Sequence, residues 1–183
     1  ERRSEVLELS PDMCSLTLSS LNFVKQASLN APDMIVSLAE KMNQYGVIPE
    51  LECFDFGMIN YGRYLINKGI LKGPFYWNLL FGNVAGFQPS LLQMGSAVNE
   101  IPAGHYIGMA GIGTSQLKVN AIAIALGLGV RVGIEDNIWL DGQRTKLASN
   151  FELVQRIHKL IAIHSHRSMS AIKFRELGFS NQK

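Results

Sequence analysis

Arg131, Glu135 and Asp136 are the residues best suited to chemistry in this chain, and they fall close together in Val130-Arg131-Val132-Gly133-Ile134-Glu135-Asp136-Asn137. Alternate side chains of a strand point to opposite faces. Val130, Val132 and Ile134 therefore make one face apolar, while Arg131, Gly133 and Glu135 occupy the other, and Asp136 and Asn137 follow where the strand should end. A cation and a carboxylate on an inward face are costly to bury unless paired or bound to something. A structural Arg–Glu pair satisfies that condition, and so does a functional site.

Other strand-like runs carry residues of the same kind. Glu50 and Glu52 alternate with Leu51 and Cys53, Ser15 and Thr17 with Cys14 and Leu16, and Asn78 interrupts a bulky apolar run. Gly111 and Gly113 follow a fourth run. Carboxylates at several strand ends suit a metal, a general base, or both. An arginine beside them can neutralise a substrate carboxylate or a developing enolate oxygen. Ser15 and Thr17 also fit plain strand packing. Glu50, near its strand's start, reads as solvated, whereas Glu52 sits between apolar residues and does not. Gly111-Ile112-Gly113 could hold an anion on backbone N–H groups, and a tight turn explains it equally well. His164-Ser165-His166 has metal-like spacing but lies among Arg and Ser at a helix end, so it reads as solvated surface. His105 opens a strand at the end away from these groups. No lysine falls at a strand's C-terminal end, which disfavours Schiff-base chemistry.

These positions need a frame, and strand, loop and helix recur along the chain. Strands are predicted at residues 13–18, 48–54, 75–81, 105–110 and 130–135. Helices are predicted from about 31 to 45, 58 to 68, 89 to 99, 116 to 126, 150 to 163 and 168 to 177. Residues 1–9 read as the end of a further helix. Proline at the start of the first full helix, a stripe of Met34, Leu38, Ala39 and Met42, and Gly46 after it bound that element. The helix after Gly113 is almost wholly apolar and should be well buried. Strands alternating with helices imply a parallel sheet with helices outside. Ligands bind at the C-terminal ends of such strands, in barrels and open sheets alike. A complete (β/α)8 barrel needs about 250 residues. Five units in 183 residues therefore fit the last five units of a TIM barrel, strands 4–8, as a single domain over residues 1–183. An open sheet is the alternative, and polar inward faces on several strands favour the barrel.

Composition narrows the function classes. Hydrophobic residues make up 47% and charged residues 17%, with a net charge of +2. That charge is too mild to point to nucleic acid. No apolar run is long enough to span a membrane, so a cytoplasmic protein is the expectation. The two cysteines, Cys14 and Cys53, form no CxxC pair and read as buried free thiols.

With these residues laid out, the chain resembles the β-keto acid cleavage enzymes, whose named example is the 3-keto-5-aminohexanoate cleavage enzyme. The matching blocks are Pro11-Asp12-Met13-Cys14-Ser15-Leu16 with Leu21-Asn22-Phe23, Pro49-Glu50-Leu51-Glu52-Cys53-Phe54-Asp55, Gly73-Pro74-Phe75-Tyr76-Trp77-Asn78-Leu79-Leu80-Phe81-Gly82, Ala110-Gly111-Ile112-Gly113 with Gln116-Leu117, and Gly129 to Asn137. The resemblance implies a zinc-dependent (β/α)8 barrel that converts a β-keto acid and acetyl-CoA into acetoacetate and a new acyl-CoA. It implies Glu135 as a zinc ligand and Asp136 as the acid/base residue, with Arg131 orienting it. It makes Glu52, Ser15, Thr17, Asn78, Gly111 and Gly113 the substrate-binding set, and the full-length enzyme a homo-oligomer. The family's other zinc ligands come from a His-x-His on an early strand, and no early strand here carries one. A catalytic zinc needs three protein ligands, and an open five-unit sheet exposes two edges. The chain is thus expected to begin mid-domain and, alone, to be neither stable nor active. Another metal-dependent barrel lyase or isomerase, using Glu52 and Glu135 on Mg²⁺, and a non-catalytic anion-binding remnant remain the competing readings. In other family members a charged residue often follows Gly-Ile-Gly, and here it is Thr114.

Overall fold

The structure, a computed structural model, describes residues 2–181. Glu1, Gln182 and Lys183 lie outside the described residues, so the readings that touch them rest on sequence alone. The chain starts with a 3₁₀ helix, Arg2–Leu9, where a helix end was expected. Strand β1 follows at Met13–Thr17. A small antiparallel pair, β2 (Leu21–Asn22) and β3 (Ala27–Ser28), occupies a stretch that reads as loop. Helix α1, Pro32–Tyr45, has proline in its first turn and buries Ile35, Ala39 and Met42. Ile35 takes the buried place that the pattern assigns to Met34. Gly46 closes the helix at φ 72°, a left-handed conformation that costs glycine little.

The remaining units repeat the scheme. Strand β4 is Ile48–Cys53 and α2 is Phe56–Asn67. Asp55, just past β4, caps α2 by accepting from the Met58 N–H at 2.8 Å. Then come β5 (Tyr76–Phe81), α3 (Leu91–Glu100), β6 (Tyr106–Gly111) and α4 (Gln116–Ala125). Last are β7 (Gly129–Arg131), α5 (Asn150–Ile163) and α6 (Ala171–Glu176). A capping box between Ser149 and Glu152 fixes the start of α5, which is the reciprocal use of two otherwise orphaned donors.

Five strands form one parallel sheet in the order β1-β4-β5-β6-β7. Each large strand pairs with the next one along the chain. A doubly wound sheet has a point where that order reverses; this five-stranded sheet has none. Leu16, Leu51, Leu79 and Met109 are buried on the helix side of the sheet's ladder, with Trp77 fully buried among the core residues.

The register lines up the polar positions. Ser15 lies beside Glu50 and Thr17 beside Glu52. Glu50 lies beside Tyr76, Glu52 beside Asn78, and Asn78 beside Gly108. Gly108 lies beside Gly129, and Ala110 beside Arg131. The Tyr76 hydroxyl fills the space left by the two glycines. A Cβ on Gly129 would sit 2.6 Å from that oxygen and 3.1 Å from the Ile107 carbonyl. Gly129→Ala should therefore lower stability by about 1–3 kcal/mol, the usual cost of overpacking. Adding Tyr76→Phe should return part of the loss, read as a coupling in a denaturation cycle. Strictly additive losses would show that the glycine is needed for another reason.

One strand is shorter than its pattern. The alternation predicts a strand over 130–135, but the ladder stops at Arg131. Past it the backbone turns: the N–H groups of Asp136 and Asn137 both donate to the Gly133 carbonyl, at 3.2 and 3.3 Å. No described strand pairs with the outer edge of β7. Glu135 accordingly sits with Asp136 on a turn rather than at the end of a strand.

Candidate active site

That turn brings three carboxylates onto one guanidinium. Arg131 donates through Nη1 to Glu52 Oε1 at 2.6 Å and through Nη2 to Glu135 Oε1 at 2.8 Å. Its Nε donates to Asp136 Oδ2 at 3.2 Å, with Nη2 3.4 Å from Oδ1. Arginine is the residue for this task, because its rigid fork presents several donors at once. Thr17 Oγ1 donates to the second Glu52 oxygen at 2.7 Å. Glu52 and Asp136 are nearly enclosed, with side chains 12% and 7% exposed, while Glu135 is 68% exposed.

The electrostatics follow from that enclosure. Burial works against the Arg131 cation, but the neighbouring charges of Asp136, Glu52 and Glu135 outweigh it and hold Arg131 charged well beyond the ordinary range. Asp136 goes the other way. Burial raises its pKa, and Arg131 beside it recovers only part of the shift. Arg131 by itself makes the acid easier to ionise, but desolvation outweighs it, and the result is a more basic carboxylate. A general base works best when its pKa approaches the working pH.

Backbone contacts fix the turn that carries Asp136. The Gly113 N–H donates to the Asp136 carbonyl at 2.7 Å. The Gln116 side-chain amide donates to the Gly133 carbonyl at 2.9 Å, and Asn120 donates to the Arg131 carbonyl at 2.9 Å. The Ile134 N–H donates to Asn150 Oδ1 at 2.9 Å. Gln116 and Asn120 are fully buried, and sequence reading passed over both as part of an apolar helix. The signal was present: two amides one helical turn apart on the face that must be buried.

The same contacts correct the anion-cradle reading of Gly111-Ile112-Gly113. The Ile112 N–H is committed to the Phe81 carbonyl at 2.8 Å and the Gly113 N–H to Asp136. Gly111 is glycine because a Cβ there would lie 2.6 Å from Gln116 Cα and from the Ser115 carbonyl oxygen. Close packing of β6 on the start of α4 is its physical reason.

A second polar layer lies one step back along the strands. Asn78, fully buried, donates through Nδ2 to Glu50 Oε1 at 2.8 Å, and Ser15 Oγ lies 3.4 Å from Glu50 Oε2. Glu50 is thus enclosed and partnered rather than solvated. Burial raises its pKa, and the Glu52 charge adds to the effect. The folded chain then holds a proton on Glu50 more readily than the unfolded chain, so this group's share of stability falls as pH rises through the carboxylate range. Glu50→Gln should raise the denaturation midpoint at pH 7, and the gain should disappear on acidification. A gain that is constant with pH would rule out charge as its origin.

The remaining candidates fall elsewhere. His105 Nδ1 accepts from Trp77 Nε1 at 2.9 Å, a structural contact. His164 and His166 are exposed, with rings 6.2 Å apart. Cys14 and Cys53 are free thiols, half-buried and buried. Among the described residues no group of three His, Cys, Asp or Glu could hold a metal. Glu135 offers one carboxylate, and one of its oxygens already accepts from Arg131. The donors present do not by themselves fit a zinc ion, which takes three protein ligands in catalytic sites.

Comparison with other proteins gives this parallel sheet a family. The chain belongs to the beta-keto acid cleavage enzyme family, whose model matches residues 1–178. It is 31% identical over 158 residues to the 3-dehydrocarnitine:acetyl-CoA trimethylamine transferase of Rhizobium meliloti (strain 1021), covering 85% of this chain and 52% of that protein. It is 31% identical over 161 residues to the 3-keto-5-aminohexanoate cleavage enzyme of Acetoanaerobium sticklandii, covering 87% of this chain and 59% of that protein. The chain thus spans little more than half the length of these curated relatives. The apo structure of ObcA superposes with a TM-score of 0.78 at 18% identity, covering 91% of this chain and 44% of that one. That likeness is one of fold.

Proposed function

We propose that this chain carries the acid–base part of an enzyme that converts a β-keto acid and acetyl-CoA into acetoacetate and a new acyl-CoA. The observation that carries the reading is the grip of Arg131 on Glu52, Glu135 and Asp136 together. Family membership and the acetyl-CoA named as a substrate in a relative support the reaction class. The carbon between the keto and carboxylate groups of a β-keto acid bears the removable proton. Asp136, desolvated and oriented by Arg131, is the base that takes it. The carbanion forms its new carbon–carbon bond to the acetyl carbonyl carbon, and CoA leaves. Return of the CoA thiolate to the original keto carbon breaks the old bond, giving the new acyl-CoA and the acetoacetate carbanion, which takes its proton back from Asp136. Glu52, held by Arg131 and Thr17, positions the guanidinium. Ser15, exposed on β1, and Thr17 line the substrate side, while Asn78, Gly111 and Gly113 shape it from behind.

The family resemblance assigns zinc to this chemistry, with Glu135 as a ligand. The described residues supply no second or third ligand, so a metal here depends on residues beyond them. No described helix is long and apolar enough to cross a membrane; a cytoplasmic homo-oligomer is the proposed setting. The test is acetoacetate formation by the full-length protein, supplied with zinc, from acetyl-CoA and a panel of β-keto acids. Product with at least one keto acid is expected. No product with any, while acetyl-CoA binds, would move the site to other chemistry, such as a lyase or isomerase reaction.

A further inference from the structure

A second cluster of cations lies beside the Asp136 turn and takes no part in the chemistry above. Thr114, Leu117, Asn137, Trp139, Leu140, Asp141, Arg144 and Arg156 surround a cleft of about 100 Å³. Asn137 follows Asp136 directly, and Thr114 follows the glycine whose N–H holds the Asp136 carbonyl. The cleft therefore shares its scaffold with the proposed base.

Its arginines lack a counter-charge. Arg156 donates to the Leu140 carbonyl at 2.7 Å and to Gln116 Oε1 at 3.2 Å, both neutral acceptors. Its Nε is sealed from solvent and has no partner. Neither Arg156 nor Arg144 forms a salt bridge with a described carboxylate. Asp141, the one carboxylate on the wall, is committed to its own loop: it accepts from the Thr145 N–H at 3.1 Å and from the Lys146 N–H at 2.6 Å. Burial disfavours the Arg156 cation, and an uncompensated guanidinium in a half-buried cleft is costly. Arg144 is exposed and is held at φ 60° by the loop turn, with its N–H on the Asp141 carbonyl at 3.3 Å. Leu117, Trp139 and Leu140 supply apolar wall. The volume takes a group the size of a phosphate or a carboxylate.

We propose that this cleft binds an anionic group of one of the two substrates, a phosphate of the acyl-CoA or a distal carboxylate of the keto acid, on Arg156 and Arg144. The identity of those substrates rests on the function proposed above, whereas the anion site itself does not. Guanidinium pairs with either anion through paired, charge-assisted hydrogen bonds.

Trp139 provides a readout independent of turnover. Trp77 is fully buried, so Trp139 is the tryptophan of this sequence placed to report on the cleft. The protein is titrated with acetyl-CoA, inorganic phosphate and succinate, and the fluorescence change lost in Trp139→Phe is taken as the signal. Saturable binding of at least one probe is expected, weakened about tenfold or more in Arg156→Met and also weakened in Arg144→Gln. Arg144 contributes no side-chain hydrogen bond to the fold, so its variant keeps the test open should Arg156→Met unfold. Competition of phosphate with acetyl-CoA identifies the phosphate source; succinate binding that acetyl-CoA does not displace identifies the carboxylate source. No saturable signal, or a folded Arg144→Gln that binds every probe as tightly as the wild type, overturns the proposal. Binding without acetoacetate formation would leave the cleft standing and remove the proposed reaction, and the reverse outcome would do the opposite.

Discussion

Arg131→Met is expected to lower stability by about 3–5 kcal/mol, the usual cost of leaving a buried charge without its partner. The size follows from which carboxylates lose it. Glu52 and Asp136 are 12% and 7% exposed, whereas Glu135 is 68% exposed and loses little in water. Glu52 retains only the Thr17 hydroxyl, and Asp136 retains no cation. The loss should shrink as pH falls, because carboxylates stripped of their cation take up protons more readily in the folded state than in the unfolded one. Adding Glu52→Gln to Arg131→Met should recover part of it. Arg131→Lys should fall between, since an ammonium keeps the charge but cannot reach three carboxylates as a fork does. Urea denaturation across pH 5–8 reads all four proteins. A midpoint unchanged by Arg131→Met would mean that the three contacts hold no net stability, and the organising role given to this residue would be lost.

Asp136→Asn carries the second large effect, and it separates catalysis from folding. Acetoacetate formation should fall by about 10²–10⁴-fold, the range that a positioned general base contributes. Stability should hold or rise at pH 7. Asp136 is a carboxylate whose ionised form burial disfavours, and an amide of the same shape removes that cost while still accepting from Arg131 Nε. The same variant should remove the loss of stability that wild type shows as pH rises through this group's range. Unchanged turnover with a well-folded Asp136→Asn would transfer the role of base to another residue, and Glu52 is the nearest enclosed carboxylate on the same guanidinium.

Much of this was legible along the chain. The repeat of strand, glycine-bounded turn and helix predicted all five strands of the parallel sheet and nearly all the helices, because burying a parallel sheet requires apolar runs of fixed length. Period-two alternation placed Ser15, Thr17, Glu50, Glu52, Asn78 and Arg131 on one face, since that period is a local property of the pleat. Other features lay in contacts between distant residues. The ladder ends at Arg131, and the turn closed on the Gly133 carbonyl breaks the alternation read through Glu135 and folds Asp136 back onto the guanidinium. Glu50 looked solvated from its place at a strand start, but β5 lays Asn78 against it, and burial raises its pKa. Gly111 and Gly113 looked like an anion cradle until the turn of residues 133–137 claimed the Gly113 N–H and α4 packed on Gly111. The sequence by itself determined which residues share a face, because neighbours in the chain decide that. Which carboxylates are desolvated, and which cation they share, only the tertiary structure decided, because desolvation and pairing depend on groups as far apart as Glu52 and Arg131.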